Sequence, residues 1–291
     1  MSNKVGIVAC SNGIARSQQR NIEQFLELLR GNGLETASSP YLYEKDGVRS
    51  GTGEERAKVL MDFYARDDIK AIFDFSGGDV ANEILSYLDY DVIAKSKKTF
   101  WGYSDLTVVL NAMYTKCGQA NVLYQVRNLG AEENVSQLPS FGMMISNDEM
   151  LGKQEMFDFD YEFLQGNRLS GVVVGGNIRC FLKLAGTPYF PDMTDKILLL
   201  EARSGGVPQM ITYLNQLKQL GAFEKLNGIL LGTFTQMERE GVVPTMEQLV
   251  VEMIKTPLPV VKTTQIGHGL HSKAIWIGKQ LDILLKNEKN N

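Results

Sequence analysis

Through its first 125 residues the chain alternates short apolar runs with amphipathic patterns, and no other feature constrains the fold more. Val5 to Cys10 is an apolar run, and Ile22, Phe25, Leu26 and Leu29 then recur at helical spacing until Gly31-Asn32-Gly33 supplies a stop. Leu34 to Ala37 fits a second strand, and Val59, Leu60 and Phe63 mark a helix face between Arg56 and Tyr64. Ile69 to Phe75 is a third strand, closing on Ser76-Gly77-Gly78-Asp79, and Ile84, Leu85 and Leu88 suggest another helix. Thr99 to Tyr103 is a further strand, and Leu106, Val109, Leu110 and Met113 follow on one helix face. Strand-then-helix units of this kind imply a parallel sheet covered on both faces, with ligands at the C-terminal strand ends. Ser11, Gly77-Gly78 and Ser104 all fall at such ends.

Residues 131–165 break the rhythm. Glu132, Glu133, Asn134, Ser136, Pro139, Ser140, Asn147, Asp148 and Glu149 form a polar stretch, which predicts a linker between a first domain (1–130) and a second (166–291). The second opens on a strand closing at Gly175-Gly176-Asn177. The aliphatic strand Lys196 to Leu200 ends at Glu201, and Val207, Met210, Ile211, Leu214 and Leu217 mark a helix face. Gly228 to Phe234 is another strand, and Pro259-Val260-Val261 leads toward Ile266-Gly267-His268-Gly269. Lys286 to Asn291 reads as a tail.

Bulk properties narrow the function. The 291 residues are 44% hydrophobic and 22% charged, which supports large cores and excludes wholesale disorder. A net charge of -4 argues against nucleic acid or an anionic membrane as partner. No stretch approaches the roughly 20 apolar residues of a membrane span, and the start, Met1 to Val8, lacks the pattern of a signal peptide. Cys10, Cys117 and Cys180 show no CxxC spacing and read as reduced small hydrophobes, so a cytoplasmic location is expected.

Three side chains at element ends have chemistry to offer. Ser104 stands where an aromatic strand turns into a helix; it fits either a nucleophile or a helix N-cap. A serine nucleophile needs a base, and the chain has two histidines, His268 and His271. Glu201 would orient such a base, or pair with Lys196 or Arg203 as an ordinary exposed carboxylate. Were Asp105 to open a helix, its N–H would face an oxyanion at Ser104, with a second N–H from the Gly77-Gly78 turn. The segment is not the Gly-x-Ser-x-Gly elbow, because Leu106 occupies the second glycine position. HxxH from His268 to His271 lacks the partners of a zinc site, so no metal is expected. The absence of GxxxxGK[ST] and GxGxxG leaves a phosphate turn at Ser76-Gly77-Gly78-Asp79 without support.

Gly102-Tyr103-Ser104-Asp105-Leu106-Thr107, Leu198-Leu199-Leu200-Glu201 and Ile266-Gly267-His268-Gly269, in this order, resemble the LD-carboxypeptidase family of serine peptidases. That family includes muramoyl-tetrapeptide carboxypeptidases and microcin C immunity carboxypeptidases. Gly6 to Ser11, Glu55-Arg56-Ala57, Asp68 to Ile72, and Gly175-Gly176-Asn177 with Leu184 to Pro188 extend the likeness over nearly the whole chain. The resemblance implies an α/β fold: a flavodoxin- or Rossmann-like N-terminal parallel-sheet domain and a smaller C-terminal α/β domain, with the active site between them. It implies Ser104 as nucleophile, His268 as base, Glu201 as its orienting partner, and the N–H groups of Asp105 and Gly78 as oxyanion donors. Gly77, Asp79 and Asn177 become candidate substrate contacts. It also implies a cytoplasmic homodimer without cofactor, acting on a small peptide or a peptidyl nucleotide. Two departures stand out: Ser76-Gly77-Gly78-Asp79 where muramoyl-tetrapeptide enzymes carry Arg-Gly-Gly-Tyr, and Tyr124-Gln125-Val126-Arg127 where His-Gly-Pro is usual. Ser76-Gly77-Gly78, Asn82 and Leu88-Asp89-Tyr90 lie closer to the immunity branch, for which the chain is short. An esterase on the same residues, or a non-enzymatic protein binding in the inter-domain cleft, are the competing expectations.

Overall fold

A computed structural model describes residues 3–147, 155–254 and 257–285. Its strands are β1 (Lys4–Val8), β2 (Glu35–Ser38), β3 (Ile69–Asp74), β4 (Thr99–Gly102), β5 (Asn121–Leu123), β6 (Glu162–Gln165), β7 (Arg168–Asn177), β8 (Lys196–Ala202), β9 (Gly228–Phe234), β10 (Val260–Lys262), β11 (Ile275–Ile277) and β12 (Gln280–Leu284). The helices are α1 (Gln19–Gly31), α2 (Gly53–Ala65), α3 (Tyr90–Lys95), α4 (Thr107–Cys117), α5 (Leu138–Ser146), α6 (Ile178–Leu182), α7 (Val207–Gln219), α8 (Thr235–Glu240) and α9 (Met246–Met253).

Two six-stranded sheets result. The first has the order β11-β5-β4-β3-β1-β2, parallel except for β11 against β5. The second runs β12-β7-β8-β9-β10-β6, with a parallel centre and antiparallel edges β12 and β6. In the first sheet the chain passes from β1 out to β2 and returns as β3 on the other side of β1. The strand order therefore reverses between β1 and β3, which opens a crevice at their C-terminal ends.

Side-chain alternation assigns the faces. Val5, Ile7 and Ala9 pack with Phe73, Trp101 and Val122 against α1 and α5. Val8 and Cys10 point the other way, into a core where α2 and α4 meet Val173, Ile197, Leu199 and Val261 of the second sheet. The far face of the second sheet is covered by α7 and α9 through Met210, Leu214, Leu217, Leu249 and Val250. Helix α4 lies in the layer shared by the two sheets, so Thr107 through Met113 are all buried rather than one face of them.

Two features depart from the sequence reading. The stretch expected as a linker contains α5, whose Phe141, Met144 and Ile145 belong to the first core. Its apolar spacing of three and four is masked by the polar residues around it. Residues 148–154 of that stretch, and the expected tail 286–291, lie outside the described residues. The other departure is β11, which comes from the C-terminal part of the chain yet forms the edge of the first sheet beside β5. It is only three residues long, too short to announce its partner.

Candidate active site

The excursion to β11 accounts for the position of His268. The chain leaves the second sheet at Lys262 and enters the first at Ile275, beside β5 and one strand from β4, which leads to Ser104. The connecting loop thus carries His268 from one sheet to the other. Its path is pinned over the end of β9: the Thr233 N–H donates to Ile266 O at 2.8 Å, and the Ser272 hydroxyl donates to Gly267 O at 2.7 Å. Gly267 has φ +142°, and a Cβ there would lie 2.0 Å from Thr233 Oγ1, so only glycine permits this approach.

Glu201 and His268 meet at the end of β8. His268 Nδ1 lies 2.6 Å from Glu201 Oε2, with side-chain exposures of 6% and 1%. A carboxylate accepts, so Nδ1 carries the proton and Nε2 presents its lone pair. Neither His268 Nε2 nor Glu201 Oε1 has a hydrogen-bond partner among the described residues. The Tyr103 ring packs beside the imidazole, centroids 5.4 Å apart. Ser104, Glu201 and His268 line one narrow cavity, together with Tyr103, Gln125, Ser272 and Lys273. His271 is exposed and outside that cavity.

Ser104 is held in an uncommon backbone conformation. Its φ is +55°, left-handed and unfavourable for a residue with a Cβ. The turn Ser104–Leu106 precedes α4, with Tyr103 at the N-cap position of the turn and Leu106 at that of the helix. Ser104 is thus the first residue of the turn and occupies neither N-cap position. Asn111 fixes the helix from behind, donating to Gly175 O at 2.8 Å and accepting from Gly175 N–H at 2.9 Å.

Beside Ser104 lies the turn after β3. A Cβ placed on Gly77 would sit 3.9 Å from Ser104 Cβ and 3.7 Å from Tyr103 Oη. Asn12 straps this turn: its N–H donates to Gly77 O at 3.2 Å, and its Oδ1 accepts from Asp79 N–H at 2.9 Å. Gly78 has φ +126°, and a Cβ there would collide with the Asn12 carboxamide at 2.2 Å. The Asp105 carboxylate is wholly buried and anchors the base of the site. It accepts from Ser11 Oγ at 2.6 Å, Ala81 N–H at 2.9 Å and Lys183 Nζ at 2.5 Å. The buried Arg56 guanidinium donates to the carbonyls of Cys10 and Ser11 and pairs with Glu83, holding the end of β1 in place.

Asp79 and Asn177 take other positions. Asp79 is exposed and paired with Arg179, whose guanidinium holds its carboxyl below the usual carboxylate range. The Asn177 carboxamide oxygen caps α6, 3.3 Å from Cys180 N, and its N–H donates to Thr107 Oγ1 at 3.0 Å. Neither residue lines the cavity at Ser104. Sequence reasoning missed Asn12 and Lys183 altogether and gave Ser11 and Arg56 no role; of the four, only Ser11 carried a signal, as a polar residue at a strand end.

Burial pushes the Cys10 and Cys180 thiols up, away from the nucleophilic thiolate, and all three cysteines are free. Among the described residues no three His, Cys, Asp or Glu side chains are grouped to hold a metal ion, and no helix is long and apolar enough to cross a membrane.

The fold that carries this serine turn, carboxylate–imidazole pair and Asn12-strapped glycine turn is that of a carboxypeptidase, for both halves of the chain match one family of them. The chain belongs to the LD-carboxypeptidase family: residues 5–125 match its N-terminal domain and residues 170–283 its C-terminal domain. It is 28% identical to a putative carboxypeptidase of Treponema pallidum (strain Nichols), over 92% of this chain and 85% of the relative. It is 26% identical to a probable murein peptide carboxypeptidase of Bacillus subtilis (strain 168), over 94% and 86%. Its fold is similar to that of an MccF-like protein from Bacillus anthracis, with TM-score 0.81 and 23% identity, over 99% of this chain and 95% of the other.

Proposed function

We propose that Ser104, His268 and Glu201 form the catalytic triad of a carboxypeptidase that cleaves the last amide bond of a small peptide. The observation that carries this reading is the 2.6 Å contact of Glu201 with His268 Nδ1, inside the cavity that Ser104 shares. His268 Nε2 takes the hydroxyl proton as Ser104 Oγ attacks the scissile carbonyl carbon. The resulting oxyanion accepts from the N–H groups of Asp105 and Gly78, which no other group among the described residues engages. As the tetrahedral intermediate collapses, the C–N bond breaks and His268 returns its proton to the leaving amine. Water, deprotonated by the same nitrogen, then opens the acyl-enzyme to a free acid and restores Ser104.

The substrate we favour is a murein tetrapeptide that loses its terminal D-Ala, a reading supported by the family and by the Bacillus subtilis relative. The alternative is an aminoacyl- or peptidyl-nucleotide amide, supported by the MccF-like fold and by the absence of Arg-Gly-Gly-Tyr at residues 76–79. Mass spectrometry of products from a mixture of murein tetrapeptides and an aminoacyl-sulfamoyl adenylate distinguishes them. Loss of D-Ala from the peptide supports the first; cleavage of the adenylate alone replaces it with the second. Ser104→Ala abolishes both reactions if the triad is right, and full activity in that folded variant ends the proposal. From the family resemblance we also infer a metal-free homodimer in the cytoplasm. Light scattering on the purified protein and activity in EDTA test the first two features, and fractionation of the cells that express it tests the third.

A further inference from the structure

We infer that Arg127 is the residue that reads the free carboxylate at the substrate's C-terminus. This rests on the carboxypeptidase reading and adds what makes such an enzyme an exopeptidase.

Arg127 sits in the turn Val126–Gly130 that follows β5, the strand beside the one leading to Ser104. It is half-buried, and its Nε is shut off from solvent without a hydrogen-bond partner. Its side-chain partners are neutral: Nη1 makes a long bond to Gln18 Oε1 at 3.4 Å, and the guanidinium also bonds the Tyr103 hydroxyl. Of the arginines that are not exposed, Arg49 and Arg56 each have a carboxylate partner, and Arg127 has none among the described residues. Withdrawing a guanidinium from water without a counter-charge is costly, so a site that does this is built for an anion that arrives.

The surroundings give that anion a place. Arg127 faces the Tyr103 hydroxyl, opposing the rise that burial causes in that phenol. The same hydroxyl lies beside Gly77, and the Tyr103 ring lies beside His268. A groove of about 440 Å³ runs past Arg127, its lining divided between polar residues such as Asn21 and Gln24 and apolar ones such as Phe25 and Leu28. Gln125 lines both this groove and the cavity at Ser104 and His268, so the two spaces adjoin. A leaving residue directed from Ser104 past Gln125 meets a groove that holds a planar cation with no carboxylate partner among the described residues. A guanidinium meets a carboxylate through two parallel N–H···O bonds, which a neutral amide cannot match.

The test compares a murein tetrapeptide ending in D-Ala with the same peptide amidated at its C-terminus. The wild-type protein should prefer the acid by about 10- to 100-fold in kcat/KM, the range of one charge-assisted pair. In Arg127→Gln that preference should collapse toward one, mainly through KM, and Arg127→Lys should recover part of it. Equal turnover of acid and amide by the wild-type protein overturns the inference, as does a Gln variant that slows both equally. A second measurement needs no turnover and leaves Arg127 in place. Phenylglyoxal modification of Arg127 in the Ser104→Ala protein should be slowed by the peptide acid and not by the amide. Equal protection, or none, counts against Arg127 even if the triad stands. Retained activity in Ser104→Ala counts against the triad while the acid–amide comparison still reports on Arg127.

Discussion

Glu201 Oε2 and His268 Nδ1 lie 2.6 Å apart although they are 67 positions apart in the sequence, and both side chains are almost sealed from water. Glu201 is delivered by the centre of the second sheet and His268 by the loop that crosses to the first. The pair therefore forms only when both sheets are in place, and it aims Nε2 into the cavity of Ser104. Glu201→Gln keeps the shape and removes the charge, so the imidazole can settle in the wrong tautomer. In a triad of this geometry such an exchange costs about 10⁴-fold in kcat. Steady-state kinetics on the cleaved substrate should show that loss with KM little changed, and a loss below tenfold would leave Glu201 a structural carboxylate.

Ser104 offers a prediction in the opposite direction. Its left-handed φ is a conformation in which a Cβ is costly and glycine is at ease. Ser104→Gly should abolish activity yet stabilise the protein by about 1 kcal/mol, measured by denaturant unfolding. Loss of stability on that substitution would mean the hydroxyl holds the turn together, as a cap would.

How far the sequence disclosed this arrangement depends on the length of the signal. The strands of the first sheet that carry Ser11, Gly77 and Ser104 are bracketed by helical patterns and by glycines, and period alone separates them. Glu201 stands out because an aliphatic run ends on it. What stayed hidden travels through single residues or very short elements. Strand β11 has three residues, and its pairing with β5 rests on backbone bonds that composition does not encode. The α5 face of Phe141, Met144 and Ile145 is drowned by polar neighbours, and the α4 face of Val109, Leu110 and Met113 was legible while its burial on every side was not. Asn12 and Lys183 are ordinary polar residues until the fold brings one to the Gly77-Gly78 turn and the other to Asp105. Asn177 is a candidate substrate contact only through the resemblance, and the cap its carboxamide oxygen places on α6 is not legible in the sequence.

Lys183 is the cation for a carboxylate with no exposure of its own. Asp105 keeps its Ser11 and Ala81 donors if Lys183 is lost, but its charge then goes uncompensated in the core. Lys183→Met should therefore destabilise the protein by about 3 kcal/mol. Adding Asp105→Asn removes the stranded charge and should recover part of that loss, a sign that only a true charge pair gives. The double-mutant cycle, read by urea midpoints at constant slope, measures it. Additive losses would show that the 2.5 Å contact contributes no coupling.

The two glycines after β3 should part company under the same substitution. At Gly78 the backbone is left-handed and an added Cβ meets the Asn12 carboxamide at 2.2 Å. That carboxamide holds Asp79 N–H, so it cannot move aside without freeing the turn. Gly78→Ala should thus combine strain of about 1–2 kcal/mol with a displaced N–H, lowering both the melting temperature and kcat. The loss of one oxyanion donor is worth about 10²–10³ in kcat. Gly77 has an ordinary backbone and nothing closer than 3.7 Å to an added Cβ, so the fold should accept alanine there. Its new methyl would face Tyr103 Oη and Ser104 Cβ, where a substrate chain must pass, so Gly77→Ala should raise KM at unchanged thermal stability. Thermal melts and kinetics on the two variants separate the effects, and identical behaviour would remove Gly78 N–H from the oxyanion site.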